Sequence, residues 1–170
     1  MGTQQFVIEA VRVASDELLD AFKRLLPQLE PGLPGVDHER VQQVVSSACV
    51  VQFVARAAQS QSIVGLGTLV LAPLPTGMRA YAEDLVVAPE FRGRGIGELL
   101  CRAAFDHAAR EGAVCVDGTA DPQRVDANRL YERVGFQRRA TIPYRYHAQG
   151  HSKRSIEPKR ARKSSGRSAP

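Results

Sequence analysis

Cysteine is scarce. Cys49, Cys101 and Cys115 are the only three in 170 residues, an odd number set far apart. Neither a disulfide framework nor a paired Cys-x-x-Cys metal site can be written from them, which suits a reducing compartment. Long apolar runs are also missing. Each is interrupted by Arg, Gln or Gly well short of the ~20 residues a membrane helix needs, so no membrane span is expected. The opening Met1-Gly2-Thr3-Gln4-Gln5-Phe6 has no basic region leading into an apolar one, and Phe6 stands where a myristoylation signal wants Ser or Thr. Neither a signal peptide nor a lipid anchor is expected, and the expected location is cytoplasmic. His38, His107, His147 and His151 show no metal-ligand spacing with one another or with cysteine, so no metal is expected. What is present is ordinary for a soluble globular protein, 44% hydrophobic and 24% charged, which excludes collagen-like, fibrous and wholly disordered chains. The length fits one domain with a real core.

Charge is uneven along the chain. The net charge is +5, but seven of the 23 Lys and Arg and only one of the 18 Asp and Glu fall between Ala148 and Pro170, leaving 16 basic and 17 acidic residues elsewhere. Ile156 is the only large aliphatic residue in that tail, which cannot bury enough apolar surface to offset its ordering entropy. The expected organisation is therefore one domain over 1–147 and a disordered basic tail over 148–170. The tail suits contact with nucleic acid or another polyanion. A solubilising tail is the favoured reading, because no aromatics are interleaved for base stacking.

Periodicity divides the body into elements. Gln5 to Val13 reads as a strand. Ser15 offers an N-cap, Asp16 and Glu17 suit the positive end of a helix, and Leu18, Leu19, Phe22, Leu25 and Leu26 form its apolar stripe. A second helix starts near Asp37 and carries Val41, Val44 and Val45. Strands follow over Ala48 to Ala57, Ile63 to Leu71 and Arg79 to Val87, with a turn-rich stretch from Ala72 to Gly77. Ile96, Leu99, Leu100, Ala103 and His107 then form the inner face of a helix, opposite a ladder of alternating charges, Glu98, Arg102, Asp106 and Arg110. Ala113 to Thr119 reads as a strand. A helix beginning near Asp121-Pro122 and ending at Gly135 follows, then a final strand from Phe136 to Tyr146. Cys101 and Cys115 fall within these elements as small buried hydrophobes. The order predicts an α/β fold, a mixed sheet with helices on its faces.

Between a strand and the best-patterned helix stands Phe91-Arg92-Gly93-Arg94-Gly95-Ile96-Gly97. Glycines free backbone amides to point inward, and a helix start adds partial positive charge, so this pattern is a phosphate cradle that Arg92 and Arg94 can reinforce. Glu98 stands where a Rossmann fingerprint needs glycine, and a Walker loop would need Gly-Lys-Ser/Thr, which is absent. An ordinary tight turn is the plainer alternative.

The fuller string Asp84-Leu85-Val86-Val87-Ala88-Pro89-Glu90 followed by that loop resembles the acetyl-CoA-binding motif of the GNAT superfamily of N-acetyltransferases, with Arg92, Gly95 and Gly97 at the signature positions. Asn128-Arg129-Leu130-Tyr131-Glu132-Arg133-Val134-Gly135-Phe136 resembles its Leu-Tyr-x-x-x-Gly-Phe motif, in the same order and at the expected distance. The resemblance runs from about Val7 to Tyr146 and implies a central, mostly antiparallel mixed sheet flanked by helices. It implies acetyl-CoA as cosubstrate, a small-molecule or peptide amine as acceptor, and direct transfer in a ternary complex. Leu85, Val86 and Val87 would pair with the pantetheine arm, the Val87 amide would polarise the thioester carbonyl, and the amides of Arg92, Gly93, Arg94, Gly95, Ile96 and Gly97 would hold the pyrophosphate. Relatives often carry Asn where this chain has Arg124, and Asn128, one helical turn on, stands as its substitute. Tyr131 would protonate the leaving thiolate. Glu83 would serve as base, or else anchor the substrate without proton transfer. Adjacent strand residues face opposite ways, so only one of Glu83 and Asp84 can face the cleft, and Asp84 is assigned a structural role. A homodimer is compatible with this reading.

Two rival functions remain: a noncatalytic acyl-CoA-binding module, and polyanion binding through the tail. Acceptor choice would be set by the loops Pro27 to Val36, Ala72 to Gly77 and Tyr144 to His147, whose composition encodes no substrate.

Overall fold

The computed structural model describes residues 5–29 and 32–146, so the basic tail over 148–170 lies outside the described residues. The chain divides into two compact units, Met1–Gln137 and Arg138–Pro170. All described helices and strands belong to the first.

The first two helices form where their caps were written. Helix α1 (Asp16–Leu25) starts at Ser15, whose hydroxyl accepts from the Leu18 N–H, and buries Leu18, Leu19, Phe22 and Leu25. Helix α2 (His38–Ser46) starts at Asp37, whose carboxylate accepts from the Arg40 N–H at 2.9 Å, and buries Val41 and Val45. Both pack on one face of a five-stranded sheet, against Val54, Ile63, Leu66, Val86 and Ala88.

The strands lie in chain order: β1 (Phe6–Val11), β2 (Val50–Ala57), β3 (Ile63–Leu74), β4 (Gly77–Val87) and β5 (Val116–Gly118). The first four are antiparallel neighbours, and β5 runs parallel to β4. This is the mixed, mostly antiparallel sheet flanked by helices that the sequence predicts. Helix α3 (Ile96–Arg110) covers the other face, where Ile96, Leu100, Ala104 and Ala108 meet Val51, Phe53, Ala55 and Leu69. Helix α4 (Val125–Val134) follows β5 and ends at Gly135 with φ of 102°, a left-handed conformation that glycine adopts without a Cβ penalty.

Three expectations are corrected. The stretch Ala72 to Gly77 is mostly strand: β3 runs on to Leu74 and β4 begins at Gly77, leaving a two-residue hairpin turn at Pro75-Thr76. Pro73 disguised it. The β2 ladder stops at Val50↔Val70, so Pro73 lies where β3 has an open side and its missing N–H is tolerated. Residues 136–146 form no strand. Ile142, Tyr144 and Tyr146, whose alternation suggested one, are 74%, 90% and 86% exposed, and Pro143 removes a ladder donor from their midst. Cys115 is exposed, whereas Cys101 is buried as expected.

Candidate active site

The site begins at an irregularity in β4. Its register with β3 runs through Leu69↔Ala82 and Thr68↔Glu83 and resumes at Leu66↔Val86, so Asp84 and Leu85 together stand opposite Gly67. This is a β-bulge. Asp84 takes φ of 51°, in the left-handed region that aspartate tolerates better than most residues with a Cβ. The bulge reverses the strand's facing. Met78 and Ala80 pack toward α3 before it, Leu85 and Val87 do so after it, and Val86 and Ala88 turn to α1 and α2. The doubled pair is Asp84 and Leu85, so the facing changes one step beyond the Glu83–Asp84 pair to which alternation was applied.

Past the bulge, β4 opens. Strand β5 pairs with β4 only over Ala80 to Ala82, so from Glu83 to Val87 that edge has no strand partner among the described residues. The Ala88 N–H donates to Val64 O at 2.9 Å, toward β3. Alternation along an antiparallel ladder then turns the Val87 N–H and C=O to the open side, where Arg92 Nε donates to Val87 O at 3.0 Å.

The glycine loop closes the turn from β4 into α3. Gly93 and Gly95 have φ of 74° and 82°, values that strain other residues, and Gly95 caps α3 without a side chain. The first-turn amides of α3 lack intrahelical partners and carry the positive end of the helix dipole. Arg92 Nη2 also donates to Gln28 Oε1 at 2.7 Å, while Arg94 donates to Glu90 O at 3.1 Å and lies over the Phe91 ring. Both loop arginines thus brace the loop.

These parts surround a cleft of about 690 Å³. Leu85, Val86 and Val87 form one wall, and Arg92, Gly93, Gly95, Ile96 and Gly97 form another. Helix α4 and the turn before it supply the third, including Arg124, Arg129 and Arg133. Two acids, Glu98 and Asp126, also line it, but Glu98 is paired with Arg102 at 2.7 Å. The cleft therefore favours an anion. The α4 arginines were missed in sequence, although the spacing of Arg129 and Arg133 already sets them on one helical face. Asn128 does not line the cleft: its Nδ2 donates to Asp121 O and Arg124 O, both at 2.9 Å, and so shapes the turn before α4.

Glu83 and Tyr131 come from different elements but lie within electrostatic reach. Burial raises the Tyr131 phenol pKa above its ordinary value. The Cys101 thiol and the Glu83 carboxylate push the same way, and Arg124 opposes them. The ring leans on Phe136, centroids 4.8 Å apart, and Phe136 in turn meets Phe105 edge-on at 5.2 Å. Burial, helped by Glu98, pushes the Cys101 thiol up to about 11, which keeps it protonated and poorly nucleophilic at neutral pH. Partial desolvation also raises the Asp84 carboxyl, although the residue itself is exposed. Among the described residues no group of three or more His, Cys, Asp or Glu is arranged to hold a metal ion, and no helix is long and apolar enough to cross a membrane.

Comparison with known proteins follows the same outline. An uncharacterised N-acetyltransferase of Methanocaldococcus jannaschii is 32% identical over 63 residues, a stretch covering 37% of this chain and 28% of that protein. The chain thus spans little more than a quarter of this curated relative's length. Among solved structures, glucosamine-6-phosphate N-acetyltransferase from Arabidopsis thaliana superposes with a TM-score of 0.71 at 22% identity, covering 85% of this chain and 100% of the other. An aminoglycoside acetyltransferase from an uncultured soil metagenomic sample superposes with a TM-score of 0.73 at 21% identity, covering 85% and 96%. At these identities the likeness is one of fold. The model of the acetyltransferase (GNAT) family matches residues 16–136, from α1 through the bulged strand and glycine loop to Phe136, and on that match the chain belongs to the GNAT family.

Proposed function

We propose that the chain is an acetyl-CoA-dependent N-acetyltransferase that acts on a primary amine by direct transfer in a ternary complex. The observation that carries this reading is the meeting of an open strand edge, Glu83 to Val87, with the glycine-led start of α3 in one cationic cleft. A strand edge offers amides to an amide-bearing arm, and a helix start offers them to phosphates. Coenzyme A carries both groups. The aminoglycoside and amino-sugar acetyltransferases of like fold add weight to an amine acceptor.

In this reading the amides from Arg92 to Gly97 hold the pyrophosphate, and the cations of α4 face the remaining phosphate. The Val87 N–H donates to the acetyl carbonyl oxygen, where negative charge grows as the amine nitrogen attacks. An amine of pKa near ~10.4 is mostly protonated at neutral pH, so Glu83 takes a proton from it. As the new C–N bond forms, the nitrogen gives up its second proton to solvent, and as the C–S bond breaks Tyr131 gives its phenolic proton to the departing sulfur, leaving a neutral amide and a free thiol. Solvent exchange then restores both groups.

The test is calorimetric and enzymatic. Acetyl-CoA at 100 times its dissociation constant should stabilise the fold by ~2.7 kcal/mol. Gly95→Val, which forces a β-branched residue into a φ of 82°, should remove that shift while the protein still folds. Thiol release with a panel of amines reads the transfer itself. Stabilisation with no thiol release for any amine would favour a noncatalytic acyl-CoA-binding module.

A further inference from the structure

Gln52 is the one fully buried polar side chain among the described residues, 2% exposed on β2. Its neighbours settle its orientation. Nε2 lies 3.0 Å from Phe53 O and 3.3 Å from Gly67 O, and since carbonyls only accept, the NH₂ group must be on that side. Oε1 therefore faces Thr68, whose Oγ1 is 3.1 Å away. An amide oxygen also only accepts, so the Thr68 hydroxyl gives its single hydrogen to Gln52. Lone pairs alone remain on Thr68 Oγ1.

The sheet register places Glu83 next in line. Gln52 pairs with Thr68, and Thr68 pairs with Glu83, so the three form one row across β2, β3 and β4 on the same face. Directly opposed residues have Cβ atoms ~4.5–5.5 Å apart. Exposure rises along the row, from buried Gln52 through half-buried Thr68 to exposed Glu83. At its exposed end, the residue whose oxygen has no hydrogen to give is paired directly with Glu83, whose carboxylate when ionised also only accepts. Two such acceptors side by side suit a cation bearing at least two N–H groups. Gln52 acts at the bulge too, because the Gly67 carbonyl it holds belongs to the residue opposite Asp84 and Leu85.

We propose that Thr68 contacts the acceptor, taking one N–H of a primary ammonium group beside Glu83, and that Gln52 is the positioning residue that fixes the Thr68 hydroxyl for this role. This rests on the transferase reading and deepens it by naming the feature of the acceptor that is read. A tertiary amine, with one N–H when protonated, cannot satisfy both oxygens.

The experiment separates the two claims. With the protein saturated by CoA, which carries no acetyl group and permits no turnover, n-butylamine, glucosamine and spermidine are titrated and backbone amide shifts are followed. At least one should give saturable shifts at Thr68 and Glu83. Thr68→Ser should keep its dissociation constant, and Thr68→Val, the same shape without the oxygen, should weaken it roughly tenfold or more, as expected for a hydrogen bond to a charged group. In thiol release from acetyl-CoA, Thr68→Val and Gln52→Met should raise KM for the amine by a like factor and leave kcat within about twofold, with acetyl-CoA stabilisation intact. Equal binding by Thr68→Val, or no saturable shift at these residues with any of the three amines, overturns the proposal. Amine binding that depends on Thr68 without any thiol release would sink the transferase reading and leave this one standing.

Discussion

Gly97 and Leu130 hold α3 and α4 in contact: a Cβ built on Gly97 would lie 2.8 Å from Leu130 Cδ2, closer than side-chain carbons approach. The third glycine of the loop thus has a packing role besides any service to a phosphate. It lets α4 lie across the start of α3 and close the cleft.

Gly97→Ala should lower the melting temperature modestly and weaken acetyl-CoA binding, because Leu130 must turn aside and α4 must shift at the cleft wall. The atom in the way is the end of a flexible side chain, so the fold should survive. Leu130→Ala should cost less in the Gly97→Ala background than alone. A double-mutant cycle should give a coupling of about 0.5–3 kcal/mol; strictly additive effects would mean the two residues do not meet.

Asp84 yields a prediction with a definite sign. Asp84 is exposed, yet partial desolvation of its carboxyl raises its folded pKa above the unfolded value of about 3.9, so the ionised carboxylate disfavours the fold at neutral pH, by an amount that solvent screening keeps small. That cost fades as pH falls through the folded pKa and is gone below the unfolded one. Asp84→Asn removes the charge and still tolerates a φ of 51°, so it should raise the melting temperature at pH 7 and lose the advantage near about pH 3. Asp84→Val should destabilise at every pH, because a β-branched residue is strained there. If Asp84→Asn were no more stable than the parent at pH 7, desolvation of the carboxylate would not be what the bulge costs.

What the sequence disclosed depended on how local the signal was. Ser15, Asp37, Gly95 and Gly135 each announce a helix end through their own backbone needs, and all four stand where those ends fall. The glycine loop was likewise legible, being a contiguous string. The bulge was not: two residues opposing Gly67 is a relation between strands, invisible in the alternation of β4 alone. The row of Gln52, Thr68 and Glu83 was hidden for the same reason, since its members are 16 and 15 residues apart and only the register aligns them. The final strand failed in the opposite way, because Ile142, Tyr144 and Tyr146 have the right local pattern yet stay exposed. Arg124, read as the loss of an asparagine contact, lines the cleft and acts on Tyr131.

The last prediction separates base from anchor and tests the proton donor. Glu83→Gln keeps size and hydrogen bonding but cannot take up a proton, so acetyl-CoA stabilisation should stay unchanged while kcat falls by roughly 10²–10⁴. Raising the pH should partly restore it, because more of the amine is then neutral without help. Tyr131→Phe should also lower kcat and leave cofactor binding intact, but high pH should not rescue it, since thiolate protonation is what fails. The wild-type phenol should remain protonated past its ordinary pKa of about 10, because burial and Glu83 both disfavour the phenolate. The difference in tyrosinate absorbance between wild type and Tyr131→Phe should therefore show a midpoint above that value. A midpoint below it would contradict the buried setting. If Glu83→Gln changed only KM for the amine at every pH, the carboxylate would be an anchor, and if neither substitution touched turnover, proton transfer would have to be assigned to other residues.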